Sequence, residues 1–169
     1  MAPAMQFVHE DLAGVTLLCR NVKTGFITPG GSYTTTNSNT NPQTLSGSTL
    51  VMSSDIWGST VNINTVASTI TLPAAIGSGN TYTIVIGTST TSSHVVQAAG
   101  SDKIFGTATV AATTGGVFTV NNNTTFTMSA TTTGGLKGGF LTFTDVATNF
   151  WLCEVALVGT GTAATPVSA

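Results

Sequence analysis

Few side chains in this sequence could do chemistry, and they are scattered. His9-Glu10-Asp11 sets an imidazole beside two carboxylates. Consecutive residues do not converge on one substrate, and no second cluster follows to complete a metal site, so solvated charge or salt bridges to a partner is the better reading. Gly77-Ser78-Gly79 has the glycines of a phosphate cradle. A P-loop needs Lys and Ser/Thr next, then a helix; here Asn80 and a strand pattern follow, which reads as a turn. His94 is a lone imidazole before an apolar strand. On a trimer axis three copies would offer three nitrogens, but no His-x-His pair supports that. Asp55, Asp102 and Asp145 flank predicted strands, where Asp commonly bonds turn backbone. With six acids in the chain, a glycosidase pair would depend on how the fold brings them together. No Gly-x-Ser-x-Gly elbow is present. The expectation is a protein that is not an enzyme and holds no cofactor or metal. Trp57 and Trp151 would stack on sugars if exposed, but Trp more often anchors a core or an interface.

The elements that would position these residues are strands. In Ser68–Gly87, STITLPAAIGSGNTYTIVIG, Ile70 and Leu72 alternate with Thr69 and Thr71. Tyr82, Ile84 and Ile86 then alternate with Thr81 and Thr83. A period of two gives each segment one core-facing side. Pro73, Gly77, Gly79 and Asn80 mark a loop between them, so the stretch predicts a hairpin with a long loop. Further short strands follow at 50–52, 56–57, 61–63, 95–99, 104–105, 109–111, 117–120, 125–128, 140–144 and 150–158. Gly-Gly pairs and Asn121–Asn123 punctuate them. This spacing predicts an all-β fold, an antiparallel β-sandwich or jelly-roll-like domain. The last strand, FWLCEVALV, is apolar on both faces apart from Glu154, as in a central or interface-covered strand.

Only 6% of the 169 residues are charged and about a fifth are Thr, against a usual charged share of about 25%. The net charge is -2. A surface this neutral suits cover by sister copies or a scaffold better than a dispersed monomer. Arg20, Lys23, Lys103 and Lys137 are too few for a nucleic-acid footprint. No apolar run is long enough for a membrane span, and the N-terminal residues lack the pattern of a signal peptide. Cys19 and Cys153 are expected to be reduced thiols used in packing.

Residues 1–29 carry much of the charge together with Phe7, Val8, Leu12, Val15, Leu17 and Leu18. Such a short arm cannot build a core; it must fold back on the main domain or insert into a partner. Residues 30–48 have the Thr/Asn/Gly composition of a linker, and 49–169 form the predicted β domain.

Three blocks resemble a group of tailed-phage structural proteins, in the same order and spacing. They are TITLPAAIGSGNTYTIVIGTSTTSSHVVQAAGSDKIFG at 69–106, TTTGGLKGG at 131–139 and DVATNFWLCEVALVGTGTAATPVSA at 145–169. The group is similar to head decoration, or cement, proteins. That resemblance implies a β-rich homotrimer, assembled in the host cytoplasm, that sits on the outer head surface and clamps the major capsid protein. The candidate shell-contacting arm is then Phe7, Val8, His9, Leu12, Val15, Leu17, Leu18 and Arg20. The candidate trimer interface or core is Trp57, Phe150, Trp151, Val155 and Leu157. The alternative is a head-fibre or tail-fibre domain that binds a receptor or surface glycan, with Trp57 or Tyr33 on an exposed groove. A glycan-degrading appendage is a third reading.

Overall fold

The computed structural model describes residues 43–45, 47–52, 58, 60–129 and 131–169. The whole arm, with Phe7, Val8, His9, Leu12, Val15, Leu17, Leu18 and Arg20, lies outside the described residues, as do Cys19, Tyr33, Asp55 and the expected strand at Ile56–Trp57.

Twelve strands form two sheets. They are β1 (Gln43–Leu45), β2 (Thr49–Val51), β3 (Thr60–Ile63), β4 (Ser68–Thr71), β5 (Thr81–Ile86), β6 (Ser93–Gln97), β7 (Lys103–Ala111), β8 (Gly116–Asn123), β9 (Thr125–Ser129), β10 (Phe140–Ala147), β11 (Phe150–Val158) and β12 (Val167–Ser168). The larger sheet runs β1-β3-β5-β10-β11-β7-β8, and the smaller runs β12-β9-β6-β4-β2. Inward residues of both sheets form one apolar core that includes Ile63, Ile84, Leu141, Phe143 and Trp151 from the larger and Ile70, Val96, Phe126 and Met128 from the smaller. Phe126 meets Phe143 edge-on at 5.8 Å across the two layers. The fold is all-β and β-sandwich-like.

The predicted alternation is present. Ile70 and Leu72, and Tyr82, Ile84 and Ile86, all point into the core. The predicted hairpin between them is not. β4 and β5 lie in different sheets, because the 73–80 loop crosses the sandwich instead of turning back. Eight residues reach up to about 27 Å, ample for the roughly 10 Å between packed sheets.

The same alternation runs through the first half of the chain. From β1 to β6 each strand enters the sheet opposite its predecessor's. A chain that returns to a sheet after crossing the other comes back in the same direction. So β1–β3, β3–β5, β2–β4 and β4–β6 pair in parallel, as does β7–β11. The expected antiparallel, jelly-roll-like arrangement is therefore corrected to a sheet pair of mixed orientation. Antiparallel pairing remains in β5–β10, β10–β11, β7–β8, β6–β9 and β9–β12.

Three boundaries also differ. The segments expected at 104–105 and 109–111 are one strand, β7, bent at Gly106, where the β7–β8 register shifts. Gln43–Leu45, inside the stretch read as linker, pairs with β3. The last residues, beyond the strand predicted at 150–158, add an edge to the smaller sheet through Val167 and Ser168 against β9.

Candidate functional site

Two features organise the surface: a pinned loop at one end of the sandwich and the outward face of the larger sheet.

The loop is Pro73–Asn80. Its glycines take positive φ, +80° at Gly77 and +75° at Gly79, which turns successive N–H groups inward as in an anion nest. The anion is the chain's own Asp145, on β10. Its carboxylate accepts from the N–H groups of Ile76, Gly77 and Ser78 at 2.8–3.2 Å and from the Ser78 hydroxyl at 2.6 Å. The Asp145 main chain adds bonds to Gly79 and Asn80. Asp102 holds the loop's other end through the Ala75 N–H at 2.7 Å. Burial would push the Asp145 carboxyl up; the Ser78 hydroxyl and the Ser78, Gly77 and Ile76 N–H groups outweigh it and hold it below the ordinary carboxylate value. Asp102 and Asp145 are both buried. They anchor backbone; they are not a pair open to a substrate. The glycine motif thus does cradle an anion, but an internal one.

His94 is fully buried on β6. Its Nδ1 lies 3.0 Å from the Ser68 hydroxyl and its Nε2 3.0 Å from the Thr88 carbonyl. The neutral ring satisfies both by donating to Thr88 and accepting from Ser68. Burial lowers its pKa despite the Thr88 contact. Both ring nitrogens are thus engaged within the chain. Cys153 is a buried free thiol whose pKa burial pushes up to about 12. Among the described residues, no three His, Cys, Asp or Glu gather as a metal site would require.

Of the interface-or-core candidates, Trp151, Val155 and Leu157 are core. Trp151 packs edge-on against Tyr82 at 5.6 Å, and its indole Nε1 has no hydrogen-bond partner. Phe150 is half-buried on the outward face, and Trp57 lies outside the described residues. The alternation in β11 explains this split. Odd positions from Trp151 to Leu157 face inward, leaving Leu152 and Glu154 exposed.

That outward face is the second feature. The register sets its side chains in rows across the strands. One row is Thr81, Thr144, Leu152 and Phe105; the next is Thr60, Thr83, Thr142, Glu154, Thr107 and Thr119. A third runs through Val85, Phe140, Ala156, Thr109 and Val117. Phe150 stands beside Lys103 and meets Phe105 edge-on at 4.8 Å. A hollow of about 370 Å³ opens beside Gly106, lined by Thr107, Thr142, Leu152 and Glu154. Lys103 and Glu154 are the face's charged residues. Leu152, Phe105, Phe140 and Lys103 did not stand out in the sequence. The signal was there in the apolar character of FWLCEVALV on both faces, but its outward half was not assigned.

No family model, curated protein or solved structure matches the chain.

Proposed function

We propose that this protein is a structural component of a phage virion, a decoration or cement protein that binds the outer head surface as a homotrimer, contacts the major capsid protein and stiffens the shell. The observation that carries this reading is the outward face of the larger sheet. It is wide and built from Thr and apolar side chains, with two charged residues. Such a face suits protein contact rather than solvent. The three resemblant blocks support the same assignment, since they span the pinned loop, the turn at 131–139 and the β10–β11 region. Avidity over many copies would offset weak single contacts. The arm at 1–29 is the candidate clamp on the shell.

The glycan-binding alternative calls for an exposed aromatic groove. Its candidates, Trp57 and Tyr33, lie outside the described residues, while Trp151 and Tyr82 are in the core.

The test is binding of purified protein to heads that lack it, imaged by particle reconstruction. Hundreds of copies at regular sites on the shell are expected; absence of binding, or a handful of copies at a vertex, overturns the reading. Removal of residues 1–29 should abolish decoration and leave the β domain folded. Full occupancy by the truncated chain would exclude the arm as clamp.

A further inference from the structure

We propose that the outward face of the larger sheet is a self-complementary contact, by which two copies of this chain pack face to face about a two-fold axis. The proposal rests on the same face that carries the virion reading, but its test is self-association in solution, which is read separately from binding to heads.

The argument starts from charge. Five charged residues lie among those described: Asp102, Lys103, Lys137, Asp145 and Glu154. Asp102 and Asp145 are buried and hold the 73–80 loop. Of the three that reach solvent, Lys103 and Glu154 share one face, with opposite signs.

Their placement is specific. Lys103 on β7 is level with Phe150 on β11, and Glu154 on β11 is level with Thr107 on β7. The two charges are thus four residues apart along adjacent strands, roughly 13 Å. Midway between them, paired with each other, are Phe105 and Leu152. Consider a two-fold axis lying in the interface across the strands at the level of Phe105 and Leu152. It sets Lys103 of each copy over Thr107 of the other, one strand (about 4.8 Å) to the side of that copy's Glu154 and within reach of its carboxylate, while Phe105 and Leu152 meet their own counterparts. The contact is isologous. It has an apolar centre with an ion pair on either side, the usual anatomy of a specific interface. Glu154 and Lys103 are too far apart to neutralise one another, and among the described residues no other charge shares their face, which leaves both for a second molecule.

The extent is sufficient. From β5 to β8 the face is about 19 Å wide and up to about 26 Å long. This gives roughly 500 Å² of projected area per copy, about the lower size of specific interfaces once both copies are counted. Exposed Phe140 and Val117, 41% and 73% accessible, extend the apolar area toward the rim. A three-fold ring joins unlike patches, so this contact is additional to a trimer's and would join trimers in pairs.

The test is sedimentation velocity on the full chain across a concentration series, with Lys103→Glu, Glu154→Lys and the double reversal. Wild type should populate a species twice the mass of its smallest unit. Each single reversal places like charges beside one another at both sites. It should weaken that doubling at least about tenfold, and the double reversal should restore it. Lys137→Glu, an exposed charge elsewhere, should change nothing. All these positions are solvent-accessible, so the melting temperature should stay near that of wild type. Three results overturn the proposal: no doubling in wild type, doubling indifferent to the single reversals, or a double reversal as weak as the singles.

Discussion

Asp145 is one carboxylate doing the work of a loop's missing secondary structure. Three N–H groups and a hydroxyl converge on it, and hydrogen bonds to a charged group are worth about 1.5–3 kcal/mol each. Asp145→Asn replaces an acceptor oxygen with an NH₂ that faces donors. It should cost about 3 kcal/mol, read as a lower midpoint in urea unfolding. The pH dependence follows from the direction of the shift. The folded-state carboxyl lies below its ordinary 3.8, so its contribution is present above that value and is lost as pH falls through the lower, folded-state value. His94 has the same sign in a higher window. Its imidazole is held below 6.5, so stability is full above 6.5 and declines as pH drops toward the folded-state value. Unfolding free energy measured from pH 8 to pH 3 should fall in two stages, and Asp145→Asn should flatten the more acidic one. Trp151 makes a different point. Its indole N–H has no acceptor, so Trp151→Phe forfeits volume but no hydrogen bond and should cost about 1–2 kcal/mol, against about 3–5 for Trp151→Ala.

Elements were legible where side-chain period alone decides them. Ile70, Leu72, Tyr82, Ile84 and Ile86 declared their inward face because a two-residue period is written into the chain. Pairing partners were not legible. Nothing in PAAIGSGN distinguishes a loop that turns back in one sheet from one that crosses to the other, since the same Pro and Gly residues serve both. The candidate site was half legible for a related reason. FWLCEVALV announced two apolar faces, but only the register with β7 and β10 shows that Leu152 joins Phe105 and that Trp151 joins the core. The bend in β7 was missed because Gly106 looked like a strand end. It has φ +140° and packs on the Cys153 main chain, where a Cβ would collide with the carbonyl oxygen. Gly106→Ala should therefore be among the most damaging single changes, about 2–4 kcal/mol in chemical denaturation. Gly138→Ala has free space around its Cβ position and only its backbone conformation to oppose it, so about 1 kcal/mol is expected there.

At the scale of the whole molecule, the winding of β1 to β6 between the sheets decides how the chain must fold. No two strands that are consecutive in that half pair with each other; each partner is reached only after a strand of the opposite sheet has been laid down. The local antiparallel pairs are β7–β8 and β10–β11, each closable with little loop entropy. These hairpins are joined by the parallel β7–β11 pairing, and together they form one end of the larger sheet. They are the expected nucleus, and the alternating coils should condense on them late. Folding should be slow for the chain's size, in the range of milliseconds to seconds, because so much of the pairing is non-local. Stopped-flow chevrons for Val110→Ala, Leu141→Ala and Val155→Ala should give φ values above about 0.5, and those for Ile63→Val and Ile70→Val should give about 0.2 or less. High φ values in β3 and β4 would instead place the nucleus in the coils, with the hairpins added last.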